Sequence, residues 1–206
     1  MDIKQQLQLL QEDDLRIKII IPLMKAFGAT CIRDWHGTNE RGKDVLYKKE
    51  NDFGELVHKG ILLKAKTISK EVFSSEVRIQ IEEAVGVPIT DPEYLTDKIK
   101  LKGLIIMTSF DITSGAISIV EEFAGKTTPV VEIVDGDRLC GLINKLIDSF
   151  NRNESNKTTP NFYEFNCETF LDFCDRYHAM SNTKKVEVVS PGEQSIISVE
   201  NEEVSV

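Results

Sequence analysis

The chain has 206 residues, 34 of them acidic and 25 basic, for a formal net charge of −9. With 41% hydrophobic residues it can bury a core, which excludes a wholly disordered chain. No apolar run reaches the ~18 residues of a membrane span, and the net acidity argues against a general nucleic-acid binder.

The opening stretch, MDIKQQLQLLQEDD, lacks the basic start and apolar middle of a secretory leader. Ile3, Leu7 and Leu10 suggest either an earlier helical turn or a continuation of the helix that follows. Asp13 or Asp14 then caps a helix running to Phe27, with Leu15, Ile19, Leu23 and Ala26 on one stripe and Pro22 as a kink. Thr30–Arg33 reads as a short strand, followed by a polar loop from His36 to Gly42.

Residues 43–50 and 55–66 read as two strands around Asn51-Asp52-Phe53-Gly54. A three-residue loop with Gly54 at a positive φ pairs Asn51 with Glu55, so that opposed residue numbers add up to 106. Asp44 then lies opposite Leu62, and Lys64 follows on the same face because strand side chains alternate.

Ser69 or Ser74 opens a helix to Gly86, with Val77, Ile81 and Ala84 turned inward, and a loop with Pro88 and Pro92 follows. Leu101–Met107 does not alternate and reads as a buried strand. A helix over Ser114–Phe123, a strand over Pro129–Val134 and a helix from Asp135 to about Phe150 complete a β-α-β-α order. That order implies right-handed crossovers and a parallel portion, so the sheet should be mixed and the fold α/β.

The expected organisation is a 1–150 domain, a linker over 151–161, a small helical appendage over 162–180 and an acidic, flexible tail over 181–206. Four cysteines without a CxxC pair suggest free thiols and a cytoplasmic location.

Charge is uneven along the chain. Residues 41–70 carry eight basic groups (Arg41, Lys43, Lys48, Lys49, Lys59, Lys64, Lys66, Lys70) against four acidic ones, while every other segment is net negative. Inside this positive island lie Asp44 on one strand and Lys64 on its partner. Such a pair is most often a cross-strand ion contact. It can also hold a divalent metal and orient water for in-line attack on a phosphodiester. Arg41 and Lys43 flank Asp44 and are candidates for backbone phosphates; Lys66, two residues beyond Lys64, is another, with a solvated lysine as the plainer reading.

The run His36-Gly37-Thr38-Asn39-Glu40-Arg41-Gly42-Lys43-Asp44-Val45, followed by Gly60-Ile61-Leu62-Leu63-Lys64-Ala65-Lys66, resembles Mrr-like restriction endonucleases of the PD-(D/E)xK superfamily. The resemblance spans about residues 12–150, through Gln80–Ala84, Leu104–Ser109 and Val134–Leu139. It implies a three-layer α/β/α fold with a central mixed sheet, and Mg²⁺- or Mn²⁺-dependent DNA cleavage in restriction or phage defence. Carried over, Asp44 and the Leu63 carbonyl bind the metal, Lys64 acts on the attacking water, and Gln80 approaches the site or DNA. Leu62 stands where the family has a metal-binding Glu or Gln. Family members also bring a Glu from the first helix, and Glu12, Asp13 and Asp14 are the nearest acids here.

The implied partner is DNA, with no membrane contact. Cutting both strands implies a homodimer, and a separate protein would supply sensing or specificity. The alternative is a catalytically inactive nuclease-like fold serving as a nucleic-acid-binding or protein-interaction module.

Overall fold

Pro22 decides the form of the N-terminal helical region. Lacking an amide hydrogen, it cannot continue an α-helical ladder, and the preceding turn widens so that the Ile21 amide bonds the Arg16 carbonyl. The computed structural model, which describes residues 1–35, 42–51, 53–86, 88–90, 98–124, 130–157 and 162–184, therefore shows three consecutive pieces in place of one kinked helix. They are α2 (Glu12–Asp14), a π-helical turn (Leu15–Ile20) and α3 (Ile21–Ala26), after a separate α1 (Ile3–Gln8). Gln11, and neither Asp13 nor Asp14, precedes the first helical residue. The widened turn buries Leu15, Arg16, Ile19 and Ile20 together.

The strands β1 (Thr30–Asp34), β2 (Val45–Glu50) and β3 (Leu56–Lys64) form an antiparallel meander. Their register is the one the turn chemistry dictates: Val45 opposes Ile61 and Glu50 opposes Leu56. Gly54 takes φ +80°, and the Asn51 amide donates to the Glu55 carbonyl at 2.9 Å. Both strands are shorter than expected, β2 starting at Val45 and β3 ending at Lys64.

Ser69 caps the following helical segment by accepting from the Val72 amide. This segment runs as α4 (Lys70–Val72), a second π turn (Phe73–Val77) and α5 (Arg78–Gly86). Where a loop was expected, β4 (Ile89–Thr90) pairs antiparallel with β5 (Lys98–Ile99). The chain then forms β6 (Gly103–Thr108), α6 (Ser114–Ala124), β7 (Val130–Val134), α7 (Gly136–Glu154) and α8 (Phe170–Lys184). β3, β6 and β7 run parallel, giving a mixed sheet of order β1-β2-β3-β6-β7.

Apolar clusters cover both faces of this sheet. On one face Leu15, Ile19 and Leu23 meet Leu139, Ile143 and Phe150 of α7 over Val45, Ile61, Leu63 and Met107. On the other, Phe73, Val77, Ile81 and Ala116 pack over Leu46, Leu62, Leu104 and Ile106. β6 is buried along its whole length, as expected of a strand covered on both sides.

The C-terminal region differs from the expected linker and appendage. α7 continues through Glu154, and Asn151 on its last turn accepts from the Tyr163 amide (2.9 Å) and donates to its carbonyl (3.1 Å). That anchor brings α8 onto the first face, where Phe170, Phe173 and Cys174 join the core. Phe173 stacks on Tyr163 at 4.0 Å and meets Phe150 edge-on at 5.1 Å. The tail expected over 181–206 lies, from residue 185 onward, outside the described residues. Among the described residues no helix is long and apolar enough to cross a membrane.

Two expected outcomes follow from this packing. Phe173→Ala should cost about 3–5 kcal/mol, read as a shift in the urea midpoint. Burial pushes the Cys174 thiol up to about 12, so a thiol reagent at pH 8 should label the exposed Cys31 and leave Cys174 untouched until the chain unfolds.

Candidate active site at the end of strand β3

β2 begins at Val45, opposite Ile61, which leaves the last residues of β3 without a backbone partner on that side. Asp44 fills the gap. Its own amide donates to the Ile61 carbonyl at 2.8 Å, and its carboxylate Oδ2 accepts from the Leu63 amide at 2.7 Å. The acid therefore reaches one position beyond the expected register, level with Leu63 instead of Leu62. It is buried, with 3% of its surface exposed.

A second carboxylate reaches the same edge. Glu12 Oε2 lies 3.4 Å from the Ala65 amide, which donates to it. Leu63 and Ala65 are two residues apart, so their amides face the same side of the strand, roughly 7 Å from one another. The Leu63 carbonyl faces that side as well, because the N–H and C=O of one strand residue point the same way. Asp44, the Leu63 carbonyl and Glu12 thus line one edge.

Lys64 sits between the two amides. Its residue surface is 9% exposed, and it makes no hydrogen bond or ion pair among the described residues. The ordinary cross-strand ion pair with Asp44 is not formed. Leu62 shares a face with Lys64 by strand alternation; it is fully buried against the cluster containing Leu46 and Ile106. Packed hydrocarbon therefore stands where the sequence resemblance would place a metal-binding Glu or Gln.

The oxygen donors fit Mg²⁺ or Mn²⁺ in kind. They are hard, and Mg²⁺ is commonly held by one or two carboxylates with water and substrate oxygens completing its shell. Among the described residues no group of three or more His, Cys, Asp or Glu side chains forms a metal cluster. The metal would draw on Asp44, Glu12 and the Leu63 carbonyl.

The remaining expected contacts are scattered. Arg41 and His36 lie outside the described residues. Lys43 is only 1% exposed, which removes it from the outer surface a duplex would meet. Lys66 is exposed and paired with Glu76 at 2.7 Å, and this hydrogen bond holds the Glu76 carboxyl below its usual range. Gln80 approaches the site through its backbone: a β-carbon on Gly42 would fall 1.8 Å from the Gln80 carbonyl oxygen. Its side-chain Oε1 is buried without a hydrogen-bond partner among the described residues.

Arg16, absent from the expected site residues, is also buried close by. Its Nη1 donates to Asp13 at 2.8 Å, and its Nε lies 2.9 Å from Asp34. Burial alone would lower the affinity of this guanidinium for its proton, but its hydrogen bond to Asp13 and the charge of Asp34 more than offset it, and its pKa is raised. The sequence signal for Glu12 was the acidic run Glu12-Asp13-Asp14; the packing that selects its first member depends on the π turn that follows.

Comparisons with protein-family models, curated proteins and solved structures find no match, so the functional reading rests on the geometry of this site.

Gly42 takes φ +73° and has no room for a side chain. Gly42→Ala should destabilise the protein by roughly 2–4 kcal/mol. Gly86→Ala, where a β-carbon meets nothing within 4 Å, should stay within about 0.5 kcal/mol of wild type. Paired denaturant titrations check both.

Proposed function

We propose that the chain is a metal-dependent DNA endonuclease of the Mrr-like, PD-(D/E)xK kind, weakened at one ligand position and serving restriction or phage defence. The three-layer arrangement would then be the restriction-endonuclease-like fold. The observation that carries this reading is the edge of β3, where Lys64, a residue only 9% exposed, is flanked by amides that hold Asp44 and Glu12.

In this reading Asp44, Glu12 and the Leu63 carbonyl hold Mg²⁺ or Mn²⁺. When bound, the ion supplies positive charge against the charge developing on the phosphodiester. Lys64 donates a hydrogen bond to the attacking water and favours its hydroxide form by proximity of charge. Asp44 stays oriented because the Leu63 amide donates to it. Leu62 and its apolar neighbours keep bulk water from the inner side of Lys64. DNA is the proposed substrate, a homodimer the proposed assembly for cutting both strands, and a separate sensor or specificity protein the proposed partner.

A second reading is favoured by Leu62, which contributes hydrocarbon where the family contributes an oxygen. In it the domain binds nucleic acid or a protein partner without cutting.

Plasmid nicking with Mg²⁺ or Mn²⁺ separates the two. Asp44→Asn keeps an acceptor for the Leu63 amide, so the fold is preserved while ligand charge is lost. Together with Lys64→Ala, it should lower the nicking rate by at least ~100-fold. Leu62→Gln, despite a stability cost of about 1–3 kcal/mol for a buried polar group, should raise the rate. Nicking that persists at wild-type rate in Asp44→Asn or Lys64→Ala would sink the nuclease assignment at this site. DNA binding that weakens with salt, without nicking in any variant, would favour the second reading.

A further inference from the structure

We infer that Arg16 is a positioning residue for this site, an inference that rests on the nuclease reading above. The side chain of Arg16 is 4% exposed, yet both of its partners are open to solvent. Asp13 and Asp34 therefore have no need of it for their own solvation. A buried guanidinium pays desolvation that an apolar side chain of similar volume would avoid, and such replacements are often neutral or stabilising. What the arginine adds is geometric.

Each of its partners is one residue from a group that sets a carboxylate in place. Asp13 follows Glu12, whose carboxylate accepts from the Ala65 amide. Asp34 precedes Trp35, whose amide donates to the Asp44 carbonyl at 2.9 Å. Arg16 thus ties the start of the first long helix to the end of β1, the two segments that deliver Glu12 and steady Asp44. The π turn makes this possible by turning Arg16 inward beside Leu15. With the fork in place, the two carboxylates on the edge of β3 are held at a fixed spacing.

The test uses the full chain and the variants Arg16→Met and Arg16→Lys. Trp35 is the only tryptophan, so it can sensitise Tb³⁺ luminescence at the site, and displacement by Mn²⁺ then reports ion binding without catalysis. Arg16→Met should unfold cooperatively like wild type. It should need about tenfold more Mn²⁺ for half-displacement, the scale seen when residues supporting metal ligands are removed. Its plasmid nicking should slow while its KM for DNA is unchanged. Arg16→Lys, which keeps the charge and loses the fork, should recover part of the loss. Adding Asp34→Asn to Arg16→Met should bring no further loss, because both act through one contact.

Wild-type ion affinity and nicking rate in a folded Arg16→Met overturn the positioning role and leave the nuclease reading intact. If Arg16→Met does not fold, Arg16→Lys decides: unaltered half-displacement rejects the role. A wild-type chain that neither binds the ion nor nicks DNA rejects the nuclease reading, and the role of Arg16 with it.

Discussion

The hydrogen bond from the Leu63 amide to the Asp44 carboxylate, 2.7 Å long, is the contact on which the site depends. β2 begins too late to satisfy that amide, its first residue lying opposite Ile61, and a buried N–H without an acceptor is costly. An aspartate at the head of β2 supplies the acceptor from its side chain. The same bond fixes the carboxylate against the edge of β3. One interaction therefore finishes the sheet and orients the acid, and its position is inherited from the strand register. That register is in turn set by the Asn51–Gly54 turn at the far end of the hairpin.

The hairpin was legible because its determinants are local. Gly54 supplies a positive φ, Asn51 and Glu55 close the turn, and side-chain alternation carries the register to Lys64. The parallel half was legible for a similar reason, since the unbroken apolar run at 103–107 and the capping Asp135 announce their elements. Other features depend on contacts distant in sequence. The side-chain reach of Asp44 past Leu62 follows from where β2 stops, which alternation alone does not reveal. Glu12 arrives at Ala65 because the helix containing it crosses the end of the sheet, and the π turn before Pro22 sets that approach. Arg16 read as one more polar residue on a helix until packing turned it inward. The helix at α8 was legible from Phe170 and Phe173, but the polar stretch before it hid that it packs on the main core.

Net charge looks different once the pairs are known. The island at 41–70 is not a uniformly available positive surface. Lys43 and Lys64 are buried, Lys66 is held by Glu76, and Lys59 lies 3.8 Å from Glu132. Much of the positive charge counted along the sequence is engaged within the fold.

The contact between Gly42 and the Gln80 carbonyl is made entirely of backbone on the Gln80 side. Demands of this kind are one-sided. The contact asks nothing of the side chain at position 80, whereas position 42 admits only the residue that has none. The freedom of this part of the protein to vary is thus distributed unequally. A helix can change its chemistry turn by turn, provided one hydrogen atom opposite it is never replaced.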